Sequence, residues 1–409
     1  MSAAKPPVPA AITSTERPLI SSPESTGFNF RWAGDYCDEE SELTYVHTNW
    51  DALKIVVKTL SGGRECEYEG RYHEGGRHIV RRLLFVDRGD QWLVRVPIMQ
   101  TLPTPYGEEE ALEWTWGEKE KREMESEIAT MTYVRKNTQI PIPKVFGYNS
   151  RLAENPVNFP YILMECMKGN VYHELICAEP IEEIWSKIRS ILAWVQCQLA
   201  TIPLPLLGSL ILTNDGIVDF GPLPSMFGHQ GPHTSTSEYL LSWAAHAQFA
   251  LSDVLDSGYD DFVVGNAIEF LPHLQAAIIK NQIAINSSPH EGRYYIVHPD
   301  FTPSNVLFDD NWNLVAVIDW ESAFTAPLEI FAVEMANRYY GDIKEETGRL
   351  YLEDIKYYEK QLGMDTTLST AFGSTLGDLA ISMHHYKAGM AFSLLGAVER
   401  FERSYEQAA

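Results

Sequence analysis

"VHPDFTPSNVLFDDNWNLVAVIDW", residues 297–320, decides how the whole chain is read. The apolar run of "RYYIV" leading into it predicts a short strand, which His298, Pro299 and Asp300 leave on a turn. Asn305 then opens "NVLFDDNWNLVAVID", which predicts a hairpin turning at Asp309–Asn313, with Val315 and Val317 alternating along the return strand. Antiparallel pairing sets Asn305, at the start of one strand, beside Asp319, at the end of the other. Asp300 lies five residues upstream of Asn305 on the loop that feeds the same hairpin. Three oxygen-bearing side chains are therefore expected in one small volume.

Singly, a loop Asp, a turn Asn and a strand-end Asp are ordinary. Together, as HxDxxxxN followed by an apolar hairpin and an Asp, they fit phosphoryl transfer, which needs positioning and charge neutralisation more than covalent help. Mg²⁺ prefers one or two carboxylate or amide oxygens, completed by phosphate and water. Asn305 and Asp319 can supply those oxygens. Asp300 is left to accept or orient the proton of an attacking hydroxyl.

The rest of the composition is compatible with this. A chain of 409 residues is too long for one ordinary core, which predicts two lobes or domains. The 45% hydrophobic and 11% aromatic content is ample for burying them. A formal net charge of −24 repels phosphate backbones and anionic lipid, which argues against nucleic-acid and membrane-surface partners. Five scattered cysteines without CxxC spacing suit free thiols in a reducing compartment. No apolar run reaches the roughly 18 residues of a membrane span, and the amino terminus lacks a secretory apolar core, so a cytoplasmic protein is expected.

Along the chain, residues 1–45 read as a flexible tail. "NWDALKIVVKTL" predicts a short amphipathic helix. "HEGGRHIVRRLLFVDRGDQWLVRVPI" predicts a hairpin after a Gly-Gly pair, with its turn at Asp87–Asp90. An acidic insertion at 103–121 leads into a helix "REMESEIATMTYVRKN", and "IPIPKVFGYN" and "YILMECMKG" predict two more strands. Beyond Gly169 the pattern changes to helices. The apolar set in "PIEEIWSKIRSILAWVQCQLATI" follows the 3.6 period. Further helices are expected at 235–256, where "STSE" can form a capping box, and at 262–285, 328–340 and 374–405. The expected fold class is α+β, with a sheet-rich lobe at 46–168 and a larger, mostly helical lobe at 169–409.

"HPDFTPSNVLFDD" and "VIDWE" resemble the catalytic segment of the aminoglycoside phosphotransferase and choline kinase-like family, small-molecule relatives of protein kinases. The resemblance covers roughly residues 50–400 and is closest to fungal-type members, through "GSLILTNDGIVDFGPL". It implies a two-lobed protein-kinase-like fold with ATP between the lobes and one main helix in the small antiparallel-sheet lobe. Asp300 matches the base, Asn305 and Asp319 match the magnesium ligands, and His298 matches the histidine that supports the catalytic loop. Arg95 falls where the family has a phosphate-binding lysine, and Glu127 where the helix glutamate pairs with it. The arginine is a departure, because its planar fork is always charged and longer than a lysine's ammonium. Gly75 and Gly76 correspond to the phosphate-covering loop. Glu165 and Met167 correspond to the hinge, whose backbone would pair with adenine.

No activation segment follows Asp319, and Thr302 stands where many protein kinases carry a lysine, so a small hydroxylated acceptor is expected over a polypeptide. The acidic surface would steer a cationic acceptor. The alternatives are a nucleotide-binding pseudokinase or scaffold, suggested by Arg95, and a protein kinase or nucleotidyl transferase on the same fold. His384-His385, pointing about 100° apart on a helix, and His229 with His233, in a Gly-Pro loop, are not expected to bind metal.

Overall fold

A computed structural model describes residues 39–99, 115–172, 182–213, 218–224, 230–246, 261–336, 346–364, 368–372, 374, 376–380, 383 and 394–406. The expectations for residues 1–38, most of the acidic insertion, His229, the His384-His385 pair, the distal ends of the helices expected at 235–256 and 328–340 and the middle of the one expected at 374–405 lie outside those residues.

Five antiparallel strands form the main sheet of the amino-terminal lobe: β1 (Cys66–Glu74), β2 (His78–Phe85), β3 (Gln91–Pro97), β4 (Val145–Asn149) and β5 (Tyr161–Glu165), in the order β1-β2-β3-β5-β4. The β2–β3 turn closes where expected: Phe85 N–H donates to the Asp90 carbonyl at 2.9 Å, and Gly89 sits at φ +69°, a conformation glycine adopts without cost. Strand β1 was not anticipated. Its sequence, CEYEGRYHE, mixes charges with aromatics, and the partly exposed edge strand gives no clean alternation.

Strand β5 shows how the sheet divides its faces. Tyr161 and Leu163 pack into one core with Leu53, Val57 and Leu83, while Ile162 and Met164 join Met124, Ile128 and Met131 in the other. The first core is covered by α1 (Glu39–His47) and α2 (Trp50–Leu60), whose Asn49 side chain accepts from Ala52 N–H at 3.1 Å as an N-cap. Helix α1 begins at Glu39, inside the span that reads as a tail in the sequence. It shows no amphipathic pattern because it buries small polar residues: Ser41 Oγ donates to Glu74, and Thr44 Oγ1 accepts from Met99 N–H. The second core lies under α3 (Glu118–Asn137), which begins earlier than the sequence suggests because Glu120 accepts from Gly117 N–H at 2.8 Å. That core runs continuously into the carboxy-terminal lobe.

There, α4 (Glu182–Ala200) is buried along its second half and lies against α8 (Glu346–Leu362). A small hairpin, β7 (Ser209–Leu212) with β8 (Val218–Gly221), precedes α5 (Thr236–His246), at whose start Ser235 Oγ accepts from Glu238 N–H and the Glu238 side chain accepts from Thr234 N–H. Helix α6 (Asp261–Ile285) packs on α5. Two short antiparallel ladders carry the decisive segment. Strand β10 (Val306–Phe308) pairs with β11 (Leu314–Val317) and with the two-residue β6 (Asn170–Val171), and β9 (Tyr295–Val297) pairs with β12 (Phe324–Ala326). Strand β12 was not expected. It lies between Asp319 and α7 (Leu328–Met335), where the sequence suggests immediate entry into a helix. Cys66, Cys166 and Cys197 are buried free thiols. Among the described residues no helix is long and apolar enough to cross a membrane.

Candidate active site

The decisive hairpin forms in the expected register. Val306 faces Val317, and Ile318 N–H donates to the Asn305 carbonyl at 3.0 Å, so Asn305 and Asp319 flank the open end of the ladder. At the closed end Asp309 accepts from the backbone N–H of Asn311 and Asn313, which fixes the turn. Asn305 Nδ2 donates to both the carbonyl and Oδ2 of Asp300 at 2.8 Å, orienting that carboxylate and leaving Asn305 Oδ1 as the acceptor atom. Asp319 adopts φ +63°, a left-handed conformation that Asp tolerates better than most residues and that often marks a functional turn.

His298 holds these pieces together from below. It is fully buried, and its Nε2 donates to the Ile318 carbonyl at 2.8 Å, tying the loop that carries Asp300 to the residue before Asp319. A carbonyl can only accept, so the proton sits on Nε2. Burial pushes His298 below the ordinary histidine range, and its ring lies 4.8 Å from that of Trp320.

From the other lobe, Arg95 on β3 reaches the same place. Its Nη1 donates to the buried Glu127 of α3 at 2.5 Å, while Nη2 donates to His78 Nδ1 at 3.1 Å and to Asp319 Oδ1 at 3.3 Å. Burial opposes the Arg95 charge, but Glu127 and Asp319 outweigh it and hold the guanidinium more firmly protonated than usual. Burial also pushes the Glu127 carboxyl up, with Arg95 pulling it back; the short contact is that of an ionised pair. His78 is pushed well below its usual range by burial and by the nearby Arg95 and Arg77, so it stays neutral and accepts from Arg95.

Asp300, Asn305, Asp319 and Arg95 line one cavity of about 770 Å³ between the lobes, together with Gly75, Gly76, Glu165 and Met167. Glu127 and His298 stand behind that lining. Gly75 and Gly76 form the β1–β2 turn, and a Cβ on Gly76 would meet nothing within 4 Å, so the glycine leaves open space above the cavity. Glu165 is anchored by its side chain, which accepts from Arg135 and from Lys144 N–H. Two contributors escaped the sequence reading, and a third, a helical wall past residue 230, is expected there without named residues. His78 is the second partner of Arg95, Arg77 pairs with Glu321 across the cavity mouth at 2.8 Å, and one face of α5 forms a wall. The last had a signal: Tyr239, Ser242, Trp243 and His246 fall at helical i, i+3, i+4 and i+7.

A profile of the phosphotransferase enzyme family matches residues 79–330, more than half of the chain. The chain belongs to that family. The match spans Arg95, Glu127, Asp300, Asn305 and Asp319. A solved structure assigned as an aminoglycoside phosphotransferase, from Ralstonia eutropha, superposes with a TM-score of 0.50 at 13% identity, covering 88% of this chain and 99% of its own. That likeness establishes the two-lobed α+β fold of the family. Aminoglycoside phosphotransferase APH(2'')-Ib with ADP bound gives a TM-score of 0.42 at 14% identity, covering 87% of this chain and 96% of its own. A subtelomeric hrmA-associated cluster protein of Aspergillus fumigatus is 34% identical over 90 residues, which span 22% of this chain and 17% of that protein.

Proposed function

We propose that the protein transfers the γ-phosphate of ATP to a hydroxyl of a small molecule, with Asp300 as the base and magnesium held by Asn305 and Asp319. The carrying observation is that Asp300, Asn305 and Asp319 meet in one cavity with an arginine already tied to a buried glutamate. The donor set fits Mg²⁺: two oxygen ligands from the protein, with phosphate and water to complete the shell. Among the described residues no three His, Cys, Asp or Glu side chains gather into a metal cluster. When bound, the ion would neutralise phosphate charge.

The chain's own groups account for the rest of the step. Arg95, held by Glu127 and His78, presents a fixed positive charge to the phosphates. Leu93, Met164 and Leu307 line the apolar half of the cavity, where a flat base fits beside the backbone of Glu165 and Met167. Asp300, oriented by Asn305 Nδ2, accepts the proton of the attacking hydroxyl.

The contact from Arg95 to Asp319 favours a second reading, a nucleotide-binding pseudokinase in which the arginine occupies the metal's partner. Thermal-shift titration with ATP, with and without Mg²⁺, separates the two. An enzyme should need the metal for its shift, and Asp319→Ala should abolish that metal dependence, weakening Mg·ATP binding on the order of 100-fold. A shift indifferent to Mg²⁺, in a protein that labels no metabolite from γ-labelled ATP, favours the pseudokinase.

A further inference from the structure

Beyond Asp300 the cavity changes character. One face of α5 carries Tyr239, Ser242, Trp243 and His246, and Phe324 of β12 stands with Leu223 and Pro224 to complete the wall. Tyr239 is 3% exposed, Trp243 6% and Phe324 9%, so the rings are fixed by the core behind them and present little but apolar surface. The whole chain is strongly acidic, but among the described residues that charge does not extend into this wall. Four carboxylates line the cavity among the described residues, and three are paired with arginines: Glu165 with Arg135 at 3.1 Å, Asp319 with Arg95 at 3.3 Å and Glu321 with Arg77 at 2.8 Å; the fourth, Asp300, accepts from Asn305 at 2.8 Å and is the proposed base. Among the described residues a polycation would find only Asp300 not already paired with an arginine, and would bury its other ammonium groups with no carboxylate placed to receive them.

Resting on the phosphotransfer reading above, we infer that the acceptor is an uncharged alcohol with an aromatic or alicyclic body. The body lies against Tyr239, Trp243 and Phe324, with its reacting hydroxyl toward Asp300. His246 sets the orientation. Its Nδ1 donates to the Ser242 carbonyl at 2.8 Å, which leaves Nε2 as the atom that meets a second hydroxyl of the substrate.

Isothermal titration of the full chain with magnesium and a non-hydrolysable ATP analogue tests the class. The probes are 2-naphthylethanol and 4-phenylcyclohexanol, kanamycin as a polycation, and choline and ethanolamine as single cations. The neutral alcohols should bind saturably and at least tenfold tighter than any cation. Leu223→Glu, at a half-buried rim position, should weaken them at least fivefold; its melting temperature and nucleotide shift report that it has folded. Tighter binding of kanamycin, choline or ethanolamine overturns the inference. So does equal binding of the alcohols to Leu223→Glu, or binding of none of the five at millimolar concentration. Absence of any nucleotide-induced shift sinks the phosphotransfer reading instead, and the same titrations without nucleotide still decide the acceptor class.

Discussion

The two ends of the cavity are built on opposite principles. At the phosphate end nearly every polar group has two or more partners: Arg95 spans Glu127, His78 and Asp319, and Asn305 spans the carbonyl and carboxylate of Asp300. At the far end α5 offers buried rings with two polar residues, Ser242 and His246. The first is an electrostatic mesh which, on the proposed function, is preorganised for charge that develops during reaction. The second is shape and apolar area. Damage to the mesh should therefore cost rate or fold, and damage to the wall should cost only choice of acceptor.

Asp300→Asn is the sharpest way to break that division. It keeps the shape and removes the proton acceptor, so kcat should fall by about 10²–10⁴-fold while ATP affinity stays within about twofold. Steady-state rates with γ-labelled ATP, beside a binding titration, check this. Retained turnover would remove Asp300 from the chemistry and leave the phosphate end as a binding mesh alone.

Arg95→Ala should do its damage through the fold. Glu127, 2% exposed, would be left as an uncompensated buried charge, a loss of roughly 3–5 kcal/mol for such pairs. Denaturant midpoints should show it. Arg95→Lys keeps the Glu127 pair but loses the fork to His78 and Asp319, so it should recover most of the stability. A stable Arg95→Ala protein would mean that the mesh is dispensable and Glu127 is neutral.

The phosphate end was legible in the sequence and the far end was not, for a physical reason. Asp300, Asn305 and Asp319 sit within 20 residues on a loop and a hairpin whose register is set by local alternation, so spacing alone predicts convergence. Arg95 and Glu127 came from the family resemblance, and their pairing needs a helix and a strand to pack. His78 gave no signal, because its use depends on the arginine fork turning back across the β2–β3 pair. The α5 wall did carry a helical period, but period tells that a face is covered and not by what. Residues that a core side chain would occupy line a cavity instead. Helix α1 and strand β1 also escaped local pattern: α1 buries small polar groups through tertiary contacts, and β1 is a partly exposed edge strand of mixed charges and aromatics.

The mesh also predicts a pH dependence. His78 and His298 are held neutral by burial, His78 beside Arg95 and Arg77 and His298 beside Asp319 and Asp300; the half-buried His233 and His290 shift the same way. The unfolded chain takes up these protons near pH 6.5 and the folded chain does not. Below that pH the unfolded state binds more protons, so stability should fall as pH drops from 7 to 5.5, by about 1 kcal/mol for each fully shifted histidine. Melting curves across that range should show the decline, and His78→Gln should flatten it. A flat profile in the parent protein would mean that His78 and His298 protonate without cost, and that the mesh is wetter than its burial implies.

The smallest effect is expected at the mouth. Arg77 reaches from the β1–β2 turn to Glu321, two residues past Asp319, and could be taken for a clasp between the lobes. Its side chain is 74% exposed, however, and an ion pair so open to water and salt is worth about 0–1 kcal/mol. A double-mutant cycle with Arg77→Ala and Glu321→Gln, read by denaturant midpoints, should give a coupling inside that range, shrinking further in high salt. A coupling well above 1 kcal/mol that survives salt would move this pair into the mesh. The cleft would then be held shut by charge before any nucleotide arrived, and opening would precede binding.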